Sequence, residues 1–517
     1  MTQTHELNIR HSENAKAGDH IVACDVVVVG SGAGGGSMAF ELSKAGYSVI
    51  VLEAGPYVPS SEFNEQYGDM FTRLYQDAGR QTNTDGDIVI LQGACVGGST
   101  VVNAALCFRT PEPILAQWRD QYGLTDLTTA NLDPIFARVE RNLSVHENQP
   151  HEISANAHKM NQGCDKLGYS YKPLSRNIRD CTLSGYCLAG CATDRKQSTL
   201  VTYLPWALDK GAKVYAWTRA TRILHDGTKA TGVEAVMRKP DGSPHLTILL
   251  RSKIVVVCAG AIQTPMLLAK SGIPNLGDHV GKHFACHPSL GVLGMFDDDV
   301  LGYRGATCGT YCDEFDAMDK GGFILESGSA SPDFLSVLAP GFGDAAHNFM
   351  KNFNKVAGMI TLIHDENVGT VTEKNGRAAI EYRLDPKDIP RMRQALSTGA
   401  RIFLAAGAKS VILPTYTPFQ VSTEKELDDA LATLTGGPVE FKMTSYHPQG
   451  TCRMTKEASD GVVSATGEVH GLKRLFVADA SLFPSSIMVN PQITVYALSA
   501  LVAERILSEH RSYLTSQ

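Results

Sequence analysis

The feature that most constrains this chain is a glycine-rich loop that directly follows an apolar run. The run DVVVV at 25–29 is an unbroken β-branched segment, typical of a buried parallel strand. Gly30, Gly32 and Gly35 follow in the spacing GxGxxG, and a helix is predicted next. Glu53 ends the following predicted strand, about twenty residues further on. The order strand, glycine loop, helix, strand and acidic residue predicts a dinucleotide-binding βαβ unit.

Each residue of this loop has a physical role in such a unit. Gly30 would allow the tight turn, Gly32 would let the backbone approach a pyrophosphate, and Gly35 would let helix and strand pack closely. The free N–H groups at the helix N-terminus favour phosphate. Glu53 can accept hydrogen bonds from ribose hydroxyls and would repel a 2′-phosphate, which disfavours NADP. The loop by itself does not distinguish FAD from NAD.

Composition sets the class of protein and its compartment. The chain has 517 residues, long enough for two domains, with 43% hydrophobic and 20% charged residues. A net charge of -7 provides no basic surface for nucleic acid. The sequence has no apolar run of eighteen residues and no signal-peptide pattern at its start. We therefore expect a cytoplasmic enzyme without a transmembrane span and with reduced thiols, which leaves peripheral membrane association open.

A second glycine-rich segment, GACVGGSTVVN, occupies residues 93–103. Gly97, Gly98 and Ser99 form a stretch with little side chain, where the backbone could lie flat against a ring system. Asn103 could hydrogen-bond the edge of that ring. The alternative is a tight turn that only packs glycine against a helix.

The remaining pattern predicts a nucleotide-binding domain assembled from separate parts of the chain. A buried strand is predicted at 254–258, another at 475–478, and a helix from about 491 to 508. Residues 291–440 mix strand and helix patterns and are the candidate substrate side. The predicted nucleotide-binding domain comprises 22–110, 200–290 and 441–517, and the predicted substrate-binding regions are 111–199 and 291–440.

Four segments resemble the glucose–methanol–choline (GMC) oxidoreductases, and the resemblance extends over nearly the whole chain. They are the first loop with VLEAG at 51–55, the segment 93–103, the segment GAIQTPMLLAKSG at 260–272, and the C-terminal pair HPQGTCRM at 447–454 with VADASLFPSSIMVNP at 477–491. The resemblance implies FAD as cofactor. It also implies an α/β FAD-binding Rossmann-like domain, discontinuous in sequence, plus an α+β substrate domain with an antiparallel sheet.

The resemblance also implies further contacts to FAD. Thr221 would lie near the adenine and Asp479 would hold ribitol hydroxyls. Asn490 and Pro491 look like a helix start, with Asn as N-cap and Pro as first residue, whose dipole would stabilise the reduced flavin. The predicted cofactor-binding residues are Gly30, Gly32, Ala33, Gly34, Gly35, Glu53, Ala54, Gly93, Gly97, Gly98, Ser99, Asn103, Thr221, Asp479 and Pro491, and no metal ligand is predicted.

Alcohol oxidation needs a base for the hydroxyl proton and a path for the carbinol hydride to flavin N5. His447 matches the first catalytic histidine of the family, and Asn490 falls where the family has a second histidine or an asparagine. This His–Asn pair is more similar to choline oxidase and cholesterol oxidase than to glucose oxidase. His447 is therefore the predicted base and Asn490 a neutral hydrogen-bonding group for the substrate oxygen. Taken singly, each is more often a structural residue.

Two other polar groups are not assigned to the chemistry. His287 lies in a stretch that the family places near the flavin, and it is interpreted as structural. The triplet His364, Asp365 and Glu366 could line the substrate cavity, but a solvated strand end is the favoured interpretation.

Cys181, Cys187 and Cys191 form the one cluster that could add a second cofactor. Thiolates at such spacing can hold an iron–sulfur cluster, and a subgroup of related sugar dehydrogenases carries one in a similar segment. Asp180 stands where that subgroup has an additional cysteine. The alternatives are three buried thiols or a local disulfide, and zinc lacks an evident fourth ligand.

The sequence as a whole predicts FAD-dependent oxidation of a primary or secondary alcohol, with electrons passing to a quinone, a carrier protein or O2. The alternatives are a flavin-bearing lyase on the same fold, of the hydroxynitrile lyase or decarboxylase type, and a flavoprotein without catalytic activity. Residues 291–440 contain Phe, Met, Leu and Tyr but no Trp, which favours a hydrophobic or aromatic alcohol over a sugar.

Overall fold

Two large β-sheets organise the chain, and segments of each alternate along the sequence. The computed structural model describes residues 9–10, 21–328, 331–365, 369–417, 419–436 and 440–515. In chain order the strands are β1 (Ile9–Arg10), β2 (Ile21–Val29), β3 (Val49–Leu52), β4 (Ile88–Ile90), β5 (Val145–Glu147), β6 (Lys172–Pro173), β7 (Ser175–Asn177), β8 (Lys213–Tyr215), β9 (Thr218–His225), β10 (Ala230–Arg238), β11 (Pro244–Val257), β12 (Lys282–Phe284), β13 (Ser289–Met295), β14 (Thr310–Cys312), β15 (Phe323–Ser327), β16 (Val356–Ile363), β17 (Gly369–Lys374), β18 (Arg377–Glu381), β19 (Ser410–Leu413), β20 (Phe419–Val421), β21 (Met443–Ser445) and β22 (Leu475–Val477).

The helices cover the faces of these sheets. They are α1 (Ala33–Lys44), α2 (Tyr67–Leu74), α3 (Ser99–Val102), α4 (Glu112–Tyr122), α5 (Thr129–Asn142), α6 (Ala155–Leu167), α7 (Tyr203–Asp209), α8 (Gly260–Lys270), α9 (Pro332–Leu338), α10 (Asp344–Lys351), α11 (Asp388–Ala405), α12 (Glu424–Thr433), α13 (Gln492–Ser508) and α14 (Arg511–Thr515). Among the described helices, none combines the length and the apolar character that a membrane crossing requires.

The first sheet has the order β1-β8-β3-β2-β11-β10-β9, and β22 also pairs with β11. Its strands β8, β3, β2, β11 and β22 are parallel, whereas β10 pairs antiparallel to the first half of β11, and β9 pairs antiparallel to β10. The apolar run at Val26–Val29 is at most 5% exposed, because helices cover both faces of a parallel sheet. The carboxyl ends of β2, β3, β11 and β22 therefore meet at one edge.

The second sheet has the order β20-β19-β13-β16-β15-β14-β6, with β21 paired to both β13 and β4. Its pairings are antiparallel except for β4 with β21. A separate apolar core fills the space between this sheet and α11, with Met392, Leu396 and Phe403 fully buried. Two smaller sheets, β12-β17-β18 and β5-β7, complete the fold.

Sheet membership differs from the predicted domain boundaries at two places. β4 lies within the predicted segment 22–110 and β21 within 441–517, yet both pair in the second sheet. Both strands are three residues long, too short for a periodic pattern to assign them to a sheet. They connect the nucleotide-binding edge to the second sheet.

Helix α1 packs against α13 and α7 through small side chains. A Cβ atom on Gly34 would lie 1.9 Å from the carbonyl oxygen of Ala478, and one on Gly35 would lie 1.9 Å from that of Gly30. The hydroxyl of Ser499 donates to the carbonyl of Gly34 at 2.7 Å. The close approach predicted for Gly35 is therefore a contact between the helix and the loop before it.

The variant Gly35→Ala tests this contact. We expect its free energy of unfolding to fall by about 1–3 kcal/mol or more, because a methyl group there must displace backbone. Gly68→Ala, an exposed position in α2 where a Cβ atom meets nothing within 4 Å, is the matched control and should be neutral or slightly stabilising. Thermal unfolding of both variants measures the difference, and equal melting temperatures would contradict the packing argument.

Candidate active site

One cavity of about 470 Å³ extends from the strand edge of the first sheet to the face of the second. All the predicted site residues line it except Gly35 and Gly97. The lining includes Gly30, Gly32, Ala33, Gly34, Glu53, Ala54, Gly93, Gly98, Ser99, Asn103, Thr221, His447, Asp479, Asn490 and Pro491. Gly35 packs against the loop, and Gly97 has a φ of +98° with no room for a side chain beside Val101. Gly35 and Gly97 therefore support the cavity wall without lining it.

The two glycine segments contact each other at Gly32 and Gly98. A Cβ atom on Gly98 would lie 2.8 Å from the Cα of Gly32, so this contact requires glycine. Gly32 is also the N-cap of α1, and no side chain caps the helix there. The first N–H groups of α1 therefore have no side-chain acceptor, which suits a phosphate. The side-chain-free backbone and the uncapped helix fit a bound dinucleotide.

Ser31 connects the glycine loop to Glu53 and to the second glycine segment through hydrogen bonds. The sequence alone did not single it out. Its hydroxyl donates to Glu53 at 2.6 Å and accepts from the backbone N–H of Gly97 at 2.9 Å. Glu53 also accepts from the N–H groups of Ser31 and Gly55. Burial raises the pKa of Glu53, and these hydrogen bonds offset part of the rise. Glu53 therefore organises the loop as well as facing the cavity.

Asp479, at the end of β22, likewise both lines the cavity and binds protein groups. Its carboxylate accepts from Gly260 N–H at 2.9 Å and the Thr264 hydroxyl at 2.6 Å, both in the first turns of α8. It also accepts from Ser481 N–H at 2.8 Å. A carboxylate at a helix N-terminus is favoured by the helix dipole. Asp479 thus fixes α8 relative to β22 at the cavity wall.

The side chains of Asn103 and Thr221 are turned toward protein partners. Asn103 donates to Gln492 at 2.9 Å and accepts from Ala105 N–H at 3.1 Å, which fastens the second glycine segment to α13. Thr221 donates to Glu234 in the neighbouring strand. Gln492, whose amide also reaches Leu106 O at 2.6 Å, is a cavity residue that the sequence analysis missed.

His447 and His287 face each other through their Nδ1 atoms, 3.3 Å apart and both buried. The Nε2 atom of His287 lies 3.2 Å from Met488 N–H and 3.0 Å from the Gln449 amide nitrogen. A backbone N–H can only donate, and the Gln449 amide is oriented by Ile487 N–H, which donates to its oxygen. The shortest contact of Nε2 is to the Ser486 hydroxyl at 2.8 Å, which can donate or accept. The two N–H donors at Nε2 favour the tautomer of neutral His287 that carries its proton on Nδ1.

This arrangement sets the tautomer of His447. In that tautomer His287 would donate from Nδ1 to Nδ1 of His447, and a neutral His447 would carry its own proton on Nε2. Burial lowers the pKa of His447 to about 3, which keeps the ring neutral. In this tautomer His447 offers an N–H donor at Nε2, and its role as the base stays a prediction. His287, interpreted there as structural, is what determines the tautomer.

Asp365 holds His287 in place from the other side. Its carboxylate accepts from the N–H groups of Cys286 and His287 at 2.9 and 3.0 Å, and from the Tyr382 hydroxyl at 2.8 Å. His364 and Asp365 are 1% and 0% exposed, so the predicted solvated strand end is wrong for both, and Glu366 lies outside the described residues. Burial raises the pKa of Asp365 to about 6.

The helix start near Asn490 differs by one residue from the prediction. Helix α13 begins at Gln492, and Pro491 occupies the N-cap position with φ -83° and ψ -12°. Asn490 is therefore not the cap, and within the described chain its Oδ1 atom is buried without a hydrogen-bond partner. The first turn of α13 has no side-chain cap, and the Asn490 amide faces the cavity instead.

The three-cysteine segment does not form a metal site. Across the described ranges no group of three or more His, Cys, Asp or Glu side chains is placed to hold a metal ion, so the iron–sulfur alternative considered for these cysteines is not supported. Cys181, Cys187 and Cys191 are free thiols of intermediate exposure. Buried Lys196 anchors the segment, donating to the carbonyls of Cys187, Val101 and Asn103 at 2.7 Å each.

Comparison with known proteins agrees with this geometry. Two family models described as GMC oxidoreductase match residues 71–289 and 358–499, and an FAD-binding domain model matches 25–64. The chain is 34% identical to an uncharacterised GMC-type oxidoreductase of Mycobacterium tuberculosis, over 95% of this chain and 76% of the relative. It is 29% identical to a long-chain-alcohol oxidase of Arabidopsis thaliana, over 94% and 68% of the two chains.

A solved structure shares the fold. Pyridoxine 4-oxidase from Mesorbium loti superposes with a TM-score of 0.70 at 20% identity, covering 94% of this chain and 99% of the other. The family models together support FAD as the dinucleotide of the glycine loop.

Replacing Lys196 tests how the cysteine segment supports the cavity. Burial lowers the pKa of this lysine, and Lys196→Met would leave three carbonyl acceptors without their donor. We expect a loss of about 1–3 kcal/mol in the free energy of unfolding and weaker retention of the cofactor. Lys210→Met, at an exposed lysine, is the control. Unchanged stability and cofactor content in Lys196→Met would show that the anchor is dispensable.

Proposed function

Because the chain belongs to the GMC oxidoreductase family, we propose that it uses FAD to oxidise a primary or secondary alcohol to an aldehyde or ketone. The observation that carries this proposal is a single cavity that joins the glycine cradle to His447 and Asn490. The relatives that are named as alcohol oxidases support the same chemistry. Electrons would leave to an external acceptor, either a quinone, a carrier protein or O2.

FAD fits the residues of the cavity along its length. The groups that would hold it are the uncapped N-terminus of α1 with Gly32 and Gly98, then Glu53, Thr221 and Asp479, and the uncapped N-terminus of α13. When bound, FAD supplies a two-electron acceptor for the hydride of the alcohol. The partial positive charge at the start of α13 would stabilise negative charge there.

His447 and Asn490 would bind the hydroxyl oxygen of the substrate. The Nε2–H of His447 can donate to that oxygen and stabilise the negative charge that develops as the hydroxyl proton leaves. Asn490 has a free Oδ1 acceptor, which can take the hydrogen bond of the hydroxyl in the ground state. Together they would fix the carbinol carbon in one orientation.

The lining of the substrate end supports an apolar alcohol. Leu293, Phe334, Leu335, Met359 and Ile360 surround this part of the cavity. Such walls favour a hydrophobic or aromatic substrate, since burial of apolar surface supplies about 25 cal/mol per Å².

The variant His447→Ala tests the proposed chemistry. We expect FAD to remain bound and the rate of flavin reduction by alcohol to fall by about 10²–10⁴-fold, because the donor to the substrate oxygen is lost. The exposed His245→Ala is the control. Anaerobic stopped-flow absorbance over aliphatic, aromatic, steroid and sugar alcohols gives the rates. Flavin that no alcohol bleaches in the wild type would argue for a lyase, and near-normal reduction in His447→Ala would refute the role of His447.

His287→Phe tests the tautomer argument. The ring is kept but the donor to His447 is lost, so His447 can place its proton on either nitrogen. We expect flavin reduction to slow by about tenfold, the equivalent of one hydrogen bond. The absorbance spectrum of bound FAD and the melting temperature check the integrity of the variant, with His245→Phe as control. An unchanged rate in an intact His287→Phe protein would contradict the tautomer argument.

A further inference from the structure

Cys164 and Cys312 are two buried thiols that meet between α6 and β14. Cys164 lies in the last turn of α6, Cys312 ends β14, and both are 0% exposed. Both belong to the apolar core of the second sheet. Their thiol groups interact through a hydrogen bond. Neither residue lines the cavity, so the alcohol oxidation proposed above does not use them.

The path of α6 along β14 brings the two thiols together. A Cβ atom on Gly309 would lie 2.8 Å from the Cβ of Ala157, which places the helix against the chain just before β14. From that contact, seven residues of helix lead to Cys164 and three residues of extended chain lead to Cys312. Both stretches cover about 10 Å, because a helix rises 1.5 Å per residue and a strand about 3.3 Å.

A hydrogen bond between the same two elements supports this register. The Thr310 hydroxyl donates to Oδ1 of Asn161 at 2.7 Å. Thr310 and Cys312 are two residues apart and therefore point to the same side of β14. Asn161 and Cys164 are three residues apart and share a face of α6. The thiol pair is thus the next contact along the two elements.

Helix α6 is held firmly at this place by α11. A Cβ atom on Gly163 would lie 2.0 Å from the carbonyl oxygen of Ile402, so the two helices approach closely. The ammonium group of Lys166 donates to the carbonyl of Ala405 at 2.8 Å. A disulfide can form only where the fold already holds two cysteines close together. The contacts with α11 and β14 meet this requirement for Cys164.

The two thiols differ in acidity. The hydrogen bond from Cys164 lowers the pKa of Cys312 and outweighs burial, which raises it, and the carboxylates of Asp313 and Glu314 oppose the lowering. The same hydrogen bond, together with burial, raises the pKa of Cys164. The thiolate is the form that reacts with peroxides. Cys312 is therefore the more reactive thiol, and Cys164 is the neighbour that can complete a disulfide.

The pair lies where both elements end at the surface. Asp165 and Lys166, which follow Cys164, are exposed, and Asp313 and Glu314, which follow Cys312, are partly exposed. The ends of helices and strands open locally at a lower free energy than the core. A molecule as small as hydrogen peroxide can therefore reach the thiols without unfolding of the protein.

We propose that Cys164 and Cys312 are a redox-active pair, which a hydroperoxide converts to a reversible disulfide that joins α6 to β14. The Cys312 thiolate attacks one oxygen of hydrogen peroxide, the O–O bond breaks, and a sulfenic acid forms. The released hydroxide takes up the proton that Cys312 has lost. The Cys164 sulfur then attacks the sulfenic sulfur, and water leaves with the Cys164 proton. The two thiols lose two electrons, and one peroxide becomes two waters.

The disulfide would lie next to the wall of the cavity. Leu325 on β15 is the cross-strand neighbour of Cys312, and the next residue, Glu326, lines the cavity. The bond would close a loop of about 150 residues, and long loops favour stabilisation by a disulfide. O2 is one of the acceptors proposed above, and its two-electron reduction gives the oxidant required here. The thiol chemistry itself does not depend on alcohol oxidation.

The test is peptide mapping of the FAD-loaded protein after treatment with hydrogen peroxide. Catalase removes the peroxide, free thiols are alkylated, and the protein is digested without reductant. We expect a cross-linked pair of peptides that carries Cys164 and Cys312 and that dithiothreitol separates. The bound flavin should keep its absorbance spectrum, and the melting temperature should rise by about 2 °C or more.

Serine variants separate the roles of the two thiols. In Cys164→Ser, Cys312 should stop at the sulfenic acid, which dimedone labels. In Cys312→Ser, we expect neither a cross-link nor a label on Cys164. Cys24→Ser removes a partly exposed thiol of the first sheet and should leave the cross-link unchanged. The wild-type map decides the question even if a serine variant does not fold.

Three results would overturn the proposal. The first is free Cys164 and Cys312 in folded protein whose partly exposed Cys191 has been oxidised. The second is a cross-link from either residue to a different cysteine. The third is a lower melting temperature of the cross-linked protein, since the bond would then have formed only after unfolding. None of these results bears on alcohol oxidation, which flavin reduction measures separately.

Discussion

The hydroxyl of Ser31 is the contact on which the geometry of the cavity depends. It bridges Glu53 at the end of β3 and the backbone of Gly97 in the second glycine segment. The same residue accepts, through its carbonyl, a hydrogen bond from Thr199. Three other segments of the chain thus bind Ser31, two through its hydroxyl and one through its carbonyl, and the close contact between Gly32 and Gly98 lies beside these hydrogen bonds.

Local sequence patterns were sufficient to predict the secondary structure around the glycine loop. The apolar run at 25–29 and the glycine spacing after it determine a strand, a turn and a helix through short-range sterics, which a single sequence displays. The strand was observed at Ile21–Val29 and the helix at Ala33–Lys44. The start of α13 was off by one residue, because Pro491 adopts a near-helical conformation and takes the position expected for Asn490.

The chemical side could not be predicted in the same way, because it arises from contacts between distant residues. His287 and His447 are 160 residues apart in sequence, and no spacing rule connects them. Asp365 follows an apolar run, a pattern that usually indicates a strand end in water, and Glu326 was not singled out at all. Both are buried in the folded chain, and burial is what changes their acid–base properties. Lys196 is likewise an anchor only in the folded chain, where carbonyls of the segment 101–103 and of Cys187 surround its ammonium group.

The two ends of the cavity belong to different sheets. The cradle is built from strand ends of the first sheet, whereas Glu326 lies on β15 and His287 lies two residues before β13. Side chains that line the cavity from β13, β15 and β16 can therefore change without disturbing the glycine backbone of the cradle. Replacements on one sheet can thus alter the shape and polarity of one end of the cavity while the other end keeps its geometry.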